Sequence, residues 1–152
     1  YRHELREYFQ GWAQPVQLLI DRLDPKTVAR VEIHDVGPIS RMVKGRVALL
    51  GDSAHATCPD LGQGGCQAME DGWVLANYLA STNLNVTDAL IRYEKERKVR
   101  TTDIVNKARN RAETIHGKDP EISQKWYAQL AEESPLDVTR AIAKTISGGP
   151  LH

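Results

Sequence analysis

The residues best suited to chemistry lie between positions 47 and 71, where a carboxylate precedes a glycine-rich loop. Asp52 comes directly after a short apolar run, Val47 to Leu50, and Gly51. A carboxylate at the end of a strand can accept hydrogen bonds from the hydroxyls of a sugar or polyol. Three glycines follow in the loop: Gly62, Gly64 and Gly65. Because these residues lack Cβ, a flat ligand could approach the backbone closely.

Two elements would have to position these groups. The run from Val47 to Leu50 fits a strand that is buried on both faces, as in a parallel α/β sheet. After the loop, apolar residues recur at helical spacing on one face: Cys66, Met69, Trp73, Ala76 and Ala80. A helix that begins near Gly64 would direct free N–H groups and a partial positive charge at the ligand, which favours an electron-rich or anionic group.

Each of these residues also has an ordinary structural interpretation. Asp52 could cap a helix or turn, and glycines often mark turns. We expect a structural role for His55, because the spacing identifies no nucleophile or carboxylate partner for a general base. Cys66 is expected to be a small core residue of the helix. The sequence predicts no catalytic residue, and Cys58 and Cys66 do not have the spacing of metal ligands.

The order Gly51-Asp52-Ser-Ala-His55, then Pro59, then Gly62-Gln63-Gly64, resembles the second flavin fingerprint of single-component FAD-dependent aromatic hydroxylases. The resemblance implies that Asp52 holds a ribityl hydroxyl of FAD and that Pro59 packs near the flavin ring. It also implies that the start of the glycine-rich helix lies against the pyrimidine end of the ring. The predicted cofactor-binding residues are Gly51, Asp52, Pro59, Gly62, Gln63, Gly64, Gly65 and Cys66.

Further segments resemble the urate-hydroxylating members of that family. They are residues 62–71, Lys107 to Arg111, His116 to Asp119, and Ser147 to Leu151. The resemblance implies that NADH or NADPH reduces FAD, that oxygen forms a C4a-hydroperoxide, and that one oxygen atom passes to urate to give 5-hydroxyisourate. Two alternatives stay open: another aromatic or alkene substrate on the same flavin fold, and a non-enzymatic helical interaction module.

The periodicity predicts a mostly helical chain with about two strands, and the resemblance implies that it is the C-terminal part of the α/β flavoprotein hydroxylase fold. The first strand is expected at Val31 to Val36, where apolar and polar residues alternate. The resemblance divides the chain into three regions: the end of a substrate domain (1–46), a FAD-binding strand–loop–helix (47–85) and a helical C-terminal region (86–152).

Asp88 is expected to cap a long charged helix that reaches about Ile115, and Asp119-Pro120 and Ser134-Pro135 are expected to begin two more helices. Along the long helix, three pairs have the favourable i, i+4 order: Glu94 with Lys98, Glu96 with Arg100, and Asp103 with Lys107. The cluster of Arg97, Lys98 and Arg100 is typical of a solvated helix face.

Composition excludes several functional classes. Twenty basic and twenty acidic residues give a formal net charge of zero, so nothing indicates a nucleic-acid or anionic-membrane partner. Two cysteines favour a reducing cytoplasm. The sequence contains no strand–GxGxxG–helix unit for an ADP moiety, so we expect this chain to be part of a longer protein and to pair with its N-terminal part. Alone, it is expected to bind FAD weakly and to self-associate through Val47 to Leu50.

Overall fold

The computed structural model of the chain describes residues 1–117 and 119–150 and is mostly helical, with two short strands, as predicted. Within these residues the elements are α1 (Arg2–Tyr8), α2 (Gln14–Arg22), β1 (Val43–Lys44), β2 (Val47–Ala48), α3 (Asp52–His55), α4 (Gly64–Ala80), α5 (Val86–Ile115), α6 (Pro120–Glu132) and α7 (Pro135–Ser147), with a 3-10 helix at Pro59–Leu61. None of the described helices is long and apolar enough to cross a membrane. Lys118 and Leu151, which belong to the segments that resemble urate hydroxylases, lie outside the described residues.

Residues 1–33 form one compact unit in which α1 packs against α2. The two helices are joined by polar contacts at the C-terminal end of α2. Arg6 Nη2 lies 2.7 Å from Asp21 Oδ1, and the Arg2 guanidinium donates to the carbonyl of Leu23. Ile20 is the buried residue of α2, whereas Leu19 is 70% exposed.

The second unit begins at His34 and is organised around α5, which packs against α3, α4, α6, β1 and the 3-10 helix. Its buried apolar cluster consists of Met42, Val43, Ala54, Val74, Leu90 and Tyr93. The Tyr93 hydroxyl also donates to the carbonyl of Leu49 at 2.9 Å. These contacts fix the residues before Asp52 onto the long helix α5.

The two strands form an antiparallel hairpin and do not form the predicted parallel sheet. Val43 pairs with Ala48 and Lys44 with Val47. Gly45, in the two-residue turn between them, has φ +62°, which favours glycine. The strand position at Val47 was predicted correctly, but its burial on both faces was not: Val47 is 65% exposed. No described residue covers the apolar side chains of Val47, Leu49 and Leu50, which are all exposed.

The strand predicted at Val31 to Val36 is wrong, because these residues form no strand pairing in the described part of the chain. Val31 and Ile33 are exposed. The Val36 N–H instead donates to the carbonyl of Ala56 in the glycine-rich loop, at 2.9 Å. An alternating pattern produces a strand only where a neighbouring strand accepts its backbone hydrogen bonds, and none of the described residues does so here.

Helix α4 forms where it was predicted, but the opposite face is buried. Met69 and Trp73 of the predicted apolar face are 67% and 52% exposed, and Cys66 is also exposed, so its predicted place in the core is wrong. The buried residues of α4 are Gln67, Glu70, Asp71 and Val74. Three of these four are polar, and each of them bonds to the buried Arg97 of the facing helix α5.

The N-cap of helix α5 lies three residues before the expected cap, Asp88. Asn85 is the N-cap: its side-chain oxygen accepts from the Asp88 N–H at 2.9 Å, and its amide donates to the Asp88 carboxylate at 2.8 Å. Asp119 and Ser134 cap α6 and α7 as predicted. Here the short polar side chains bond to exposed N–H groups at the helix start, which local sequence alone can specify.

Of the three predicted i, i+4 pairs on α5, only Asp103 with Lys107 forms, at 2.7 Å. Glu94 instead accepts from the backbone N–H groups of Met42 and Val43. Glu96 accepts from the Tyr78 hydroxyl at 2.6 Å, which ties α5 to α4. Tertiary partners displaced the local pairs, since a single exposed i, i+4 pair contributes only about 0.2–0.5 kcal/mol.

Candidate functional site

The turn between β2 and α3 presents the Asp52 carboxylate to solvent. Gly51 has φ +56° and ψ −142°, and a Cβ at this position would lie 3.3 Å from the Cβ of Ala68 on α4. Glycine is therefore needed here for its backbone conformation and for close approach to α4. Asp52 is exposed, and no described residue forms a hydrogen bond or ion pair with its carboxylate. An unpartnered carboxylate in a fixed turn can accept hydrogen bonds from a ligand.

The glycine-rich loop leads directly into the start of α4. Gly62 has φ +63°, and its N–H donates to the carbonyl of Pro59 at 2.8 Å. A Cβ at Gly64 would make only an ordinary contact, 3.5 Å from Thr57 Cγ2, and one at Gly65 would meet no atom within 4 Å. The positive φ therefore requires glycine at position 62, whereas the space beside Gly65 is open to a ligand.

The eight predicted cofactor-binding residues lie along one continuous stretch around α3, the loop and the first turn of α4. Among them, the exposed residues are Asp52, Pro59, Gly62, Gly65 and Cys66. The first N–H groups of α4, at Gly64 to Cys66, have no acceptor one turn earlier in the helix. A 17-residue helix with free N–H groups at its start attracts negative charge.

Two polar contacts, one from the C-cap residue of α5 and one from α5 itself, hold the loop. His116 Nε2 lies 2.7 Å from Asp60 Oδ1 in the 3-10 helix. Arg109 Nη2 donates to Asp35 Oδ1 at 2.9 Å, and Asp35 also lies against the Cys58 thiol of the loop. The guanidinium lowers the pKa of Asp35, chiefly through its hydrogen bonds. Arg109 and His116 belong to the segments that resemble urate hydroxylases, and in this chain they support the loop.

A buried charge network lies directly beneath this site. Arg97 of α5 is 1% exposed and donates from Nε to Asp71 Oδ1 at 2.7 Å and from Nη1 to Glu70 Oε2 at 2.6 Å. Its Nη2 donates to Gln67 Oε1 at 2.7 Å. Arg100 adds two hydrogen bonds to Glu70, at 2.6 and 2.7 Å. The predicted solvated face is therefore wrong for Arg97 and Arg100.

His55 joins this network, and its predicted structural role agrees with its position. It is 5% exposed, and its Nε2 lies 2.6 Å from Asp71 Oδ2. The sequence analysis missed Asp71 as its partner, because sixteen residues separate the two. Two adjacent acidic residues, Glu70 and Asp71, inside an otherwise uncharged helix were the available signal. Within the described residues, no group of three or more His, Cys, Asp or Glu side chains could hold a metal ion.

The network should make the protein sensitive to acid. Burial alone would raise the pKa values of Glu70 and Asp71, but the hydrogen bonds from Arg100, Arg97 and His55 outweigh it and lower both. Between the ordinary values, 4.5 and 3.8, and the lowered ones, the unfolded chain binds more protons than the folded chain. The stabilisation is therefore complete above about pH 4.5 and is lost as pH falls through the lowered values.

We accordingly expect the melting temperature of the full-length protein to be nearly constant from about pH 7 to pH 5 and to fall steeply below about pH 4.5. Thermal unfolding followed by circular dichroism across this range measures the effect. The variant Glu70→Gln removes one of these carboxylates, so its melting temperature should fall less steeply below about pH 4.5. An unchanged fall in that variant would mean that Glu70 contributes nothing to the acid sensitivity.

Known proteins are similar to this chain over the residues that form the site. A family model described as "FAD binding domain" matches residues 5–108. FAD-dependent urate hydroxylase of Klebsiella pneumoniae is 50% identical over 99% of this chain and 39% of that protein. The enzyme of the same name from Mycolicibacterium vanbaalenii is 47% identical over 99% of this chain and 38% of that protein.

A solved structure is equally similar. The crystal structure of Klebsiella pneumoniae HpxO complexed with FAD and uric acid superposes with a TM-score of 0.91 and 49% identity, over 99% of this chain and 39% of that chain. This chain thus spans 39% of the length of the Klebsiella relative that it matches. The family match covers the β-hairpin, the glycine-rich loop, α4 and most of α5. The chain belongs to the FAD binding domain family.

Proposed function

We propose that this chain forms the flavin-ring side of the FAD site in an NAD(P)H-dependent monooxygenase that hydroxylates urate. The observation that supports the proposal most directly is the pairing of an unpartnered carboxylate with an open helix start. Asp52 follows Gly51, which packs against Ala68 of α4, while Gly64 at the start of α4 lies against Thr57. The carboxylate and the helix start are thus held together by one short loop.

The polar groups of this loop fit a flavin. Asp52 would accept a hydrogen bond from a ribityl hydroxyl, because its carboxylate oxygens bond to no described side chain. Gly62, Gln63 and Gly64 would lie against the pyrimidine end of the ring, where the open space beside Gly65 admits a flat ligand. Gly51, Pro59, Gly65 and Cys66 would complete the contact surface.

The start of α4 would contribute electrostatically to the reaction. Bound FAD would supply the redox chemistry, in which two electrons from NADH or NADPH reduce O2 so that one oxygen atom reaches the substrate and the other leaves as water. Preorganised N–H groups at the helix start stabilise the negative charge that accumulates on the reduced ring. Removing one such donor from an active site typically costs about 3 kcal/mol of barrier. We assign no group of this chain to urate activation.

Urate as the substrate is supported by the relatives and by the chemistry of the ring. Two of the most similar relatives are named urate hydroxylases, and the similar HpxO structure contains FAD and uric acid. Urate is electron-rich and readily loses a proton, so it can accept an electrophilic oxygen atom. The overall reaction balances as urate, NADH, a proton and O2 giving 5-hydroxyisourate, NAD⁺ and water.

The test compares urate with xanthine, salicylate and 4-hydroxybenzoate in the full-length protein, with NADH and NADPH in separate series. We expect urate to accelerate NAD(P)H oxidation and to be consumed with little release of hydrogen peroxide. If salicylate or 4-hydroxybenzoate were consumed instead, the flavin function would stand and the urate assignment would fall. If peroxide accounted for nearly all the oxygen used, urate would be an uncoupling effector.

The rest of the protein would cover the apolar surface that this chain exposes. Met69 and Trp73 on α4 and Val47 on β2 are more than half exposed, and the relatives are longer than this chain. We propose that the N-terminal part of the same protein packs here and supplies the ADP site.

Two further proposals concern the protein as a whole. We propose that the enzyme is cytoplasmic, which its two free thiols favour. We also propose that residues 1–46 are the end of the substrate domain, that residues 47–85 are the flavin strand–loop–helix, and that residues 86–152 are a helical C-terminal region.

Residues 1–152 expressed alone are therefore expected to bind FAD weakly and to self-associate. The ADP-binding part of the affinity is absent, and Val47, Met69 and Trp73 offer apolar surface to a second copy. Light scattering measures the association, and a fluorescence titration measures the affinity. Monomeric behaviour together with tight flavin retention would contradict both expectations.

A further inference from the structure

One oxygen atom of Asp71 bonds to both ends of the short helix that presents Asp52. The Gly51 N–H, just before α3, donates to Asp71 Oδ2 at 2.8 Å. His55, the last residue of α3, lies with its Nε2 2.6 Å from the same Oδ2. Asp52 stands between these two attachment points.

The rest of the Asp71 carboxylate is also fully used. Its second oxygen, Oδ1, accepts from Arg97 Nε at 2.7 Å, and the residue is fully buried on α4. The guanidinium favours an ionised carboxylate, which can only accept hydrogen bonds. Since Oδ2 cannot donate, the hydrogen of the close contact belongs to His55 Nε2. Both ends of α3 therefore donate to one fixed, negatively charged acceptor.

The short helix needs such an attachment. An isolated helix of four residues has no stability of its own in water, and β2, which precedes it, consists of two residues. Gly51 is the most permissive residue in the turn, so its φ of +56° is not enforced by a side chain. Without Asp71, the contacts that remain on this segment are the burial of Ala54 and two hydrogen bonds to its flanking residues, from the Tyr93 hydroxyl to Leu49 and from the Val36 N–H to Ala56.

We infer that Asp71 is a positioning residue, which holds Asp52 in place for a flavin ribityl hydroxyl by anchoring Gly51 and His55. The inference rests on the proposed function of Asp52. Because Asp71 is fully buried, it would not touch the cofactor itself. Its effect on cofactor binding must therefore pass through the turn that carries Asp52.

The neighbouring residue Glu70 provides a matched control. It is also buried on α4, and it pairs with Arg97 at 2.6 Å and with Arg100 at 2.6 and 2.7 Å. Among the described residues, its carboxylate forms no hydrogen bond with Gly51 or His55. Glu70→Gln and Asp71→Asn each remove one buried charge from the same network, but only the second weakens the anchoring of α3.

The experiment measures FAD dissociation constants for full-length wild type, Asp71→Asn, Glu70→Gln, Asp52→Ala and the double variant Asp52→Ala/Asp71→Asn. We expect Asp71→Asn to raise the dissociation constant about tenfold, since one amide oxygen cannot serve three donors. Glu70→Gln should change it by less than about twofold. In the Asp52→Ala background, Asp71→Asn should add little, because its effect is transmitted through Asp52.

Hydrogen exchange of residues 51–55, measured on the same apo-proteins, reports the anchoring without any cofactor. Faster exchange there in Asp71→Asn than in Glu70→Gln is expected. Equal exchange in the two variants, equal FAD affinities, or full additivity with Asp52→Ala would overturn the inference. If wild-type protein bound no FAD, the proposed function would fall, and hydrogen exchange alone would decide whether Asp71 anchors the turn.

Discussion

Replacing Asp52 with alanine in the full-length protein is expected to weaken FAD binding about 10- to 100-fold without unfolding the protein. The carboxylate would lose a charge-assisted hydrogen bond to a ribityl hydroxyl, which contributes about 1.5–3 kcal/mol. Because Asp52 is exposed and no described side chain bonds to it, its removal should change the melting temperature little. Fluorescence titration with FAD and thermal unfolding measure the two effects.

Asp103→Ala is the matched control, since Asp103 is an exposed aspartate on α5 that pairs with Lys107 at 2.7 Å. It should leave FAD affinity unchanged and cost only about 0.3–0.5 kcal/mol of stability. Asp52→Asn, which keeps one acceptor oxygen, should fall between wild type and Asp52→Ala. If Asp52→Ala retained stoichiometric flavin on dilution, the assignment of Asp52 to the ribityl chain would be wrong.

The largest effect on stability is expected for Arg97→Met. Arg97 is 1% exposed and bonds to the carboxylates of both Glu70 and Asp71. Methionine fills much of the same space but leaves Asp71 without its cation, and breaking a buried ion pair on one side costs about 3–5 kcal/mol. Chemical denaturation of the full-length protein measures the loss in the free energy of unfolding.

Arg111→Met provides the comparison, because Arg111 is an exposed arginine on the same helix. Exposed substitutions of this kind usually change stability by less than about 0.5 kcal/mol. A similarly small loss for Arg97→Met would show that water reaches the network and stabilises the carboxylates when the guanidinium is absent. We expect a clear separation of the two variants.

Local sequence was sufficient to predict the parts of the site that depend on backbone chemistry. Gly62 is required by its positive φ, and the start of α4 at Gly64 and the caps at Asp119 and Ser134 follow from short-range rules. Asp52 was predicted from its position after an apolar run, and it is exposed and unpartnered among the described residues. These features depend on residues within a few positions of each other.

The features that could not be predicted depend on partners distant in sequence. The burial of Gln67, Glu70 and Asp71 requires Arg97, which lies 26 to 30 residues away. Periodicity identified an apolar face on α4, but it could not tell that the polar face would meet α5 within this chain. The strand predicted at Val31 failed for the same reason, since pairing depends on a neighbour that local pattern does not reveal.

Oxygen-isotope labelling tests the central claim most directly. The full-length protein, loaded with FAD, is reduced with NADH in the presence of urate and ¹⁸O2, and the product is analysed by mass spectrometry. The account predicts one ¹⁸O atom in the 5-hydroxyisourate formed and one in water. A product whose new oxygen comes only from solvent water, with the ¹⁸O recovered as hydrogen peroxide, would contradict it.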